Sequence, residues 1–220
     1  MASRIFRATF VKPHFMIGAM LAVSLIATPN AMAQSIVDSW KSVQLPPPPA
    51  LQPVSLDPRH TALLLLDFST TTCTQARRPT CIRSLGPVSR LLGLARSRGA
   101  LVVYSMAGNG DYTVPNAVLP DAGEPTVKAG VDKFMGTDLE KILKDHDIKA
   151  VIVTGTSAHG AVLYTASAAA LRGLDVVVPV DGFSAEEPFA ELYTAWHLKN
   201  APASVSAHVT LTSVAQITFH

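Results

Sequence analysis

The chain has 220 residues, a formal net charge of +2 and a hydrophobic content of 48%. That is enough chain for one domain with a sizeable core. So small and evenly spread a charge argues against a nucleic-acid partner.

Three basic residues, Arg4, Arg7 and Lys12, precede an apolar run over residues 16–27, and Ala31-Met32-Ala33 follows. This pattern predicts a secretory signal peptide over residues 1–33, cleaved after Ala33. The mature protein is then periplasmic or secreted, and the run is short for a membrane span, so no membrane attachment is expected of the mature form. Residues 34–60 read as a Pro-rich linker or arm, with Pro46 to Pro49 in polyproline II geometry and Trp40 as the residue able to anchor it. Cys73 and Cys81 share one loop. In an oxidising compartment such a pair is expected to form a local disulfide, so neither is a natural catalytic thiol.

The domain proper is expected over residues 61–220. A first strand, 62–66, ends on Asp67. Apolar residues at 85, 88, 91, 92 and 95 give a helix over 85–98, stopped at Gly99. A second strand follows at 100–106, then a loop rich in Gly, Pro and Asn at 107–124, then a short strand at 125–127. Thr137 and Glu140 read as a capping box opening a helix over 137–145. The stretch 149–182 is a βαβ unit: strand 150–153, helix 161–171, strand 176–180. A helix at 186–199 and a strand at 204–211 complete the chain. Alternating strands and helices give an α/β class, a three-layer α/β/α sandwich with a mostly parallel, Rossmann-like sheet. Nearly continuous apolar strands fit a sheet covered on both faces.

Ligands of such folds bind beyond the carboxyl ends of the strands. This directs attention to Asp67 and to the turn from Gly155 to Ala161. Asp67 at the mouth of the sheet is a candidate general acid/base, or else a loop-capping residue. Gly155 permits a tight turn, and the backbone around Ser157 offers N–H donors at a helix start. His159 is placed to contact substrate, or to cap the helix. Lys128 and Lys133 are both candidate cations, and spacing alone does not separate them.

Three segments together resemble the isochorismatase-like hydrolase superfamily, which includes nicotinamidases and other cysteine amidohydrolases. They are Ala62 to Phe68, the Val127-Lys128 stretch running on to Phe134-Met-Gly136-Thr137-Asp138-Leu139, and Val151 to Val162. The resemblance covers about residues 60–217. It places the catalytic aspartate on Asp67, and the lysine, six residues before the aromatic, on Lys128 rather than Lys133. The nucleophilic cysteine of the amidohydrolase members falls on Ala161, which cannot attack a carbonyl. Ala158-His159 with a small residue at 161 is similar to the isochorismatase branch, in which an aspartate protonates an enol ether and water adds. The resemblance therefore implies a small-molecule hydrolase that works without a cysteine. Substrate contacts are expected from Gly155, Ser157, His159 and Ala161. No metal and no organic cofactor is expected, since residues 105–110 lack the Asp/His cluster of nicotinamidases. A homo-oligomer is expected, as is usual in that family.

Two rival readings remain open. Gly155-Thr-Ser157-Ala-His159 approaches a nucleophile elbow, with Asp181 and then His197 or His208 in the order of α/β hydrolases. The other is a binding protein that keeps the fold without the chemistry.

Overall fold

The computed structural model describes residues 35–108 and 113–220. The expected signal peptide and its cleavage site lie outside the described residues, as does the end of the loop stretch 105–110. The chain divides into two units, Met1–Leu45 and Pro46–His220. In the first, residues 35–45 form a short helix, α1 (Ile36–Ser39), and a 3-10 turn, Trp40–Ser42. Ser35 and Asp38 cap α1 reciprocally. Trp40 is 70% exposed.

The second unit begins with β1 (Val54–Leu56) and β2 (Thr61–Leu66), then α2 (Pro79–Ser97) and β3 (Leu101–Ala107). Next come β4 (Thr126–Ala129), α3 (Leu139–Asp145) and β5 (Ala150–Thr156). A π-helical turn, Ala158–Val162, leads into α4 (Leu163–Leu171), followed by β6 (Asp175–Pro179) and β7 (Phe183–Ser184). The chain continues through α5 (Pro188–Asn200), α6 (Ser204–His208), β8 (Val209–Thr212) and β9 (Ile217–Phe219).

The main sheet runs β4-β3-β2-β5-β6-β8, with β7 paired to the end of β5. Every pairing in it is parallel. Alternation along each strand sends side chains to two cores. Ala62, Leu64 and Leu66 of β2 face a core with Val151 and Val153 of β5 and the buried sides of α3, α4, α5 and α6. Leu63 and Leu65 face the other, with Ile152 and the Val88, Leu91, Leu92 and Ala95 face of α2. β2 is therefore apolar at every position because both of its faces are covered. This is the three-layer α/β/α arrangement expected from the sequence. From β2 the chain winds outward to β3 and β4 on one side, then crosses to β5, β6 and β8 on the other. The topological switch lies between β2 and β5, where such sheets form their ligand crevice.

Several local expectations are corrected. Helix α2 starts at Pro79, six residues before the expected 85. Proline suits the first turn, whose N–H has no partner inside the helix, and Pro87 is carried inside the helix. The Thr137/Glu140 capping box does not form. Thr137 Oγ1 instead donates to Lys133 O and accepts from Leu139 N–H, and Asp138 is the N-cap. The expected strand 204–211 begins as helix α6, so only its second half, β8, joins the sheet. Residues 34–60 are open to two readings, linker or arm, and residues 54–56 behave as an arm. They pair in parallel with β9 as a separate two-stranded ribbon, and Val54 and Leu56 pack on the α2-side core.

Cys73 and Cys81 are joined as a disulfide, Cα–Cα 5.1 Å, and both are buried. The bond closes the loop that leads into α2. In the chain-entropy account a loop this short contributes about 2–3 kcal/mol. Replacing both cysteines by serine should lower unfolding stability by about that amount, measured by urea titration under matched non-reducing conditions. No change in the transition midpoint would contradict it.

Candidate active site

β2 ends in the crevice, and Asp67 follows its last residue with a φ of 55°. Aspartate tolerates this left-handed geometry better than most residues, and held backbone strain of this kind clusters at functional sites. The Asp67 N–H donates to Ser105 O at 3.1 Å, so the neighbouring strand β3 fixes the turn. Both carboxylate oxygens accept hydrogen bonds. Ser105 Oγ donates to Oδ1 at 2.7 Å, and Lys133 Nζ donates to Oδ2 at 2.7 Å. Asp67 is 8% exposed and Lys133 fully buried.

The cation in the site is Lys133, not the expected Lys128. Strand alternation is the reason. On β4, Val127 packs into the core, so the next side chain points away from it, and Lys128 is exposed. Beyond β4 the chain turns back through residues 130–137 and carries Lys133 under Asp67. Its Nζ also donates to Gly130 O at 2.6 Å and to Ala129 O at 3.4 Å. An ammonium has three donors, and here all three are engaged. Lys133 therefore acts through Asp67: it supplies the counter-charge and holds the carboxylate in place.

The second wall comes from the end of β5. Gly155 has a φ of 138°, and a Cβ there would lie 2.2 Å from Leu66 O, so only glycine lets β5 run this close to the end of β2. The Thr156–Ser157 peptide is cis. The π-helical turn follows and presents Ala161. One of the backbone donors expected of this turn is used internally: Gly160 N–H donates to Ser157 O, which also accepts from Val162 N–H.

These elements enclose a pocket of about 300 Å³, lined by Asp67, Arg77, Arg78, Ser157 and Ala161 among others. Of the four expected substrate contacts, Ser157 and Ala161 line it. Gly155 shapes it from below. His159 is exposed on the outside of the turn and is not a lining residue, because the π-helical turn puts its side chain on the solvent side. Sequence reasoning missed Ser105, Arg77 and Arg78. Ser105 faces Asp67 across the β2–β3 register, and the arginines sit inside the disulfide loop.

Arg78 Nη1 donates to Thr156 Oγ1 at 2.8 Å, and Nη2 to Glu186 Oε1 at 3.3 Å. Arg77 Nε donates to the same Glu186 oxygen at 2.9 Å. The Glu186 carboxyl is held below its ordinary range, first by the Arg77 hydrogen bond and then by the Arg78 charge.

The serine-nucleophile reading is not supported by the contacts. Asp181 Oδ1 accepts from Val214 N–H at 2.8 Å. His208 Nδ1 lies 3.5 Å from Asp175, and His197 Nδ1 is 3.4 Å from Tyr193 OH. Among the described residues no hydrogen bond joins Ser157 to a histidine. Nor, among the described residues, does any group of three or more His, Cys, Asp and Glu side chains gather as a metal set.

A family model described as the Isochorismatase domain matches residues 61–210. The chain belongs to the isochorismatase family. Solved structures of that fold superpose on most of the domain. A cysteine hydrolase from Pseudomonas syringae pv. phaseolicola is 20% identical, with a TM-score of 0.65 over 76% of this chain and 95% of that one. N-carbamoylsarcosine amidase from Thermoplasma acidophilum is 21% identical, TM-score 0.61, covering 70% and 96%. An isochorismatase family protein from Desulfovibrio vulgaris subsp. vulgaris is 19% identical, TM-score 0.63, covering 71% and 95%. At such identities the structures attest the fold. No curated protein matches the chain significantly. The isochorismatase family places its members among hydrolases, and the Asp67 crevice lies inside the matched domain.

Proposed function

We propose that this isochorismatase family member is an exported hydrolase of a small molecule, acting without a cysteine nucleophile. The observation that carries this is the Asp67–Lys133 pair at the mouth of the sheet, opening on a pocket whose opposite wall is Ala161. Both cysteines are tied up as a disulfide elsewhere on the chain. The bond-breaking step then falls to water, and proton transfer to Asp67.

Asp67 receives hydrogen bonds from Ser105 and Lys133, the arrangement of a carboxylate acting as acceptor. In that form it takes a proton from a pocket water as the water oxygen bonds to the substrate carbon. It then returns the proton to the departing oxygen or nitrogen. With an enol ether the order is reversed. Asp67 first takes a proton from solvent and delivers it to the enol carbon, water adds to the oxocarbenium ion and returns a proton to Asp67, and the hemiketal collapses to a carbonyl compound and an alcohol. Either route needs one acid/base group and one water, and Lys133 keeps that group in position.

The test is a substrate panel of enol ethers, small amides and imides, and simple esters, run on the oxidised mature protein with and without iodoacetamide. Turnover that survives the thiol reagent is the expected result. Turnover abolished by it would rule out the cysteine-free route. Silence across the panel would favour the alternative, a binding protein of the same fold.

Export follows from residues 1–33 and suits the disulfide. N-terminal sequencing of the protein recovered from a bacterial periplasm should begin at Gln34. Recovery of the full-length chain from the cytoplasm would refute it.

A further inference from the structure

We propose that the disulfide-closed loop, residues 73–81, is a substrate-recognition element, and that Arg78 on it forms a carboxylate-binding subsite in the Asp67 pocket. The inference rests on reading that pocket as the active site and adds the chemical class of the molecule it takes.

A guanidinium carries five N–H donors. Arg78 spends one on Thr156 and one on Glu186, and its Nε finds no acceptor among the described residues. Yet the side chain is only 13% exposed. A cation so far removed from water, with donors to spare, is costly until an acceptor reaches it. Its one carboxylate neighbour is a poor answer. Glu186 is 49% exposed, sits at 3.3 Å, and is shared with Arg77 at the shorter distance of 2.9 Å. Charge counting agrees. Among the described residues Lys133 balances Asp67, Glu186 balances one arginine, and one positive charge remains on the pocket wall. The planar fork of a guanidinium matches a carboxylate in two parallel hydrogen bonds. Since Arg78 and Asp67 line the same small pocket, a substrate held by its carboxylate at Arg78 presents its remaining bonds to Asp67.

The loop is built to hold that arginine still. The disulfide closes it, Arg77 and Arg78 N–H donate back to Thr74, and Thr80 Oγ1 donates to Ala185 O at 3.1 Å. Pro79 then starts α2, so Arg78 is pinned between a loop and a helix.

Binding calorimetry can test this without a known substrate. The probes are acetate, benzoate and succinate, each beside its uncharged amide, on the oxidised mature protein and on Arg78→Gln, Arg78→Lys and Asp67→Asn. At least one carboxylate should bind the wild type while its amide does not. Arg78→Gln should weaken that binding about 10- to 100-fold, the size of a lost charge-assisted pair. Arg78→Lys should keep part of it, and raised salt should weaken it in the wild type. Asp67→Asn should bind the carboxylate at least as well as wild type, so the subsite stands or falls separately from the catalytic role of Asp67. Carboxylates that fail to bind wild type, amides that bind equally well, or Arg78→Gln with unchanged affinity would each overturn the proposal. Should Arg78→Gln fail to fold by circular dichroism, the Arg78→Lys and salt comparisons decide: affinity indifferent to both overturns it.

Discussion

Asp67→Asn should lower kcat/KM by about 10²- to 10⁴-fold, the usual contribution of a positioned acid/base group. The amide has nearly the shape of the carboxylate and can keep both neighbours. Its oxygen can still accept from Lys133, and its NH₂ can donate to Ser105 Oγ. What it loses is the ability to take up and release a proton. The measurement is initial rates on whichever compound the panel identifies, with circular dichroism to confirm folding. Equal rates for the two proteins would remove Asp67 from the mechanism. A tenfold or smaller loss with raised KM alone would mean that it only binds.

The second large effect concerns the two lysines. Lys133→Met should destabilise the protein by about 3–5 kcal/mol, because truncating one partner of a buried ion pair strands the other. Here the stranded groups are the Asp67 carboxylate and the carbonyls of Gly130 and Ala129. Lys128→Met, on an exposed strand position, should stay within about 0.5 kcal/mol of wild type. Urea unfolding of both variants gives the comparison, and the reverse order of effects would refute the pairing. Combining Lys133→Met with Asp67→Asn should recover part of the loss, because the stranded charge goes with its partner.

The sheet was legible because its strands are buried on two sides. Residues 62–66 and 150–153 are unbroken apolar runs, and they stand at the centre of the sheet. Short elements were harder. α6 has five residues and buries only Val205, too little for a periodic signal. β9 and β1 have three residues each and find one another across the whole chain. In the site, Asp67 could be read from its place at a strand end. The distance to an aromatic residue points to Lys128, but that measure is blind to which face of β4 a side chain takes. Val127 is the residue that settles it: with valine turned inward, its neighbour must turn outward. Arg78 gave no signal, since its burial depends on Thr156 and on Glu186, more than 70 residues away.

The ribbon of β1 and β9 also sets an order of events. Its partners are among the most distant on the chain: Ser55 Oγ meets His220 Nδ1 at 3.0 Å across 165 positions, and the His220 N–H reaches Leu56 O. Closing so long a loop before the sheet exists would cost a large share of the chain's freedom. Once β2 to β8 are assembled, the two ends are already neighbours and the closure is cheap. During synthesis β1 emerges before every strand of the main sheet and β9 after all of them, so the arm waits through the whole assembly. The Pro-rich stretch before β1 keeps that waiting segment extended and, lacking amide hydrogens at Pro46 to Pro49, poorly suited to pairing with a strand of another chain.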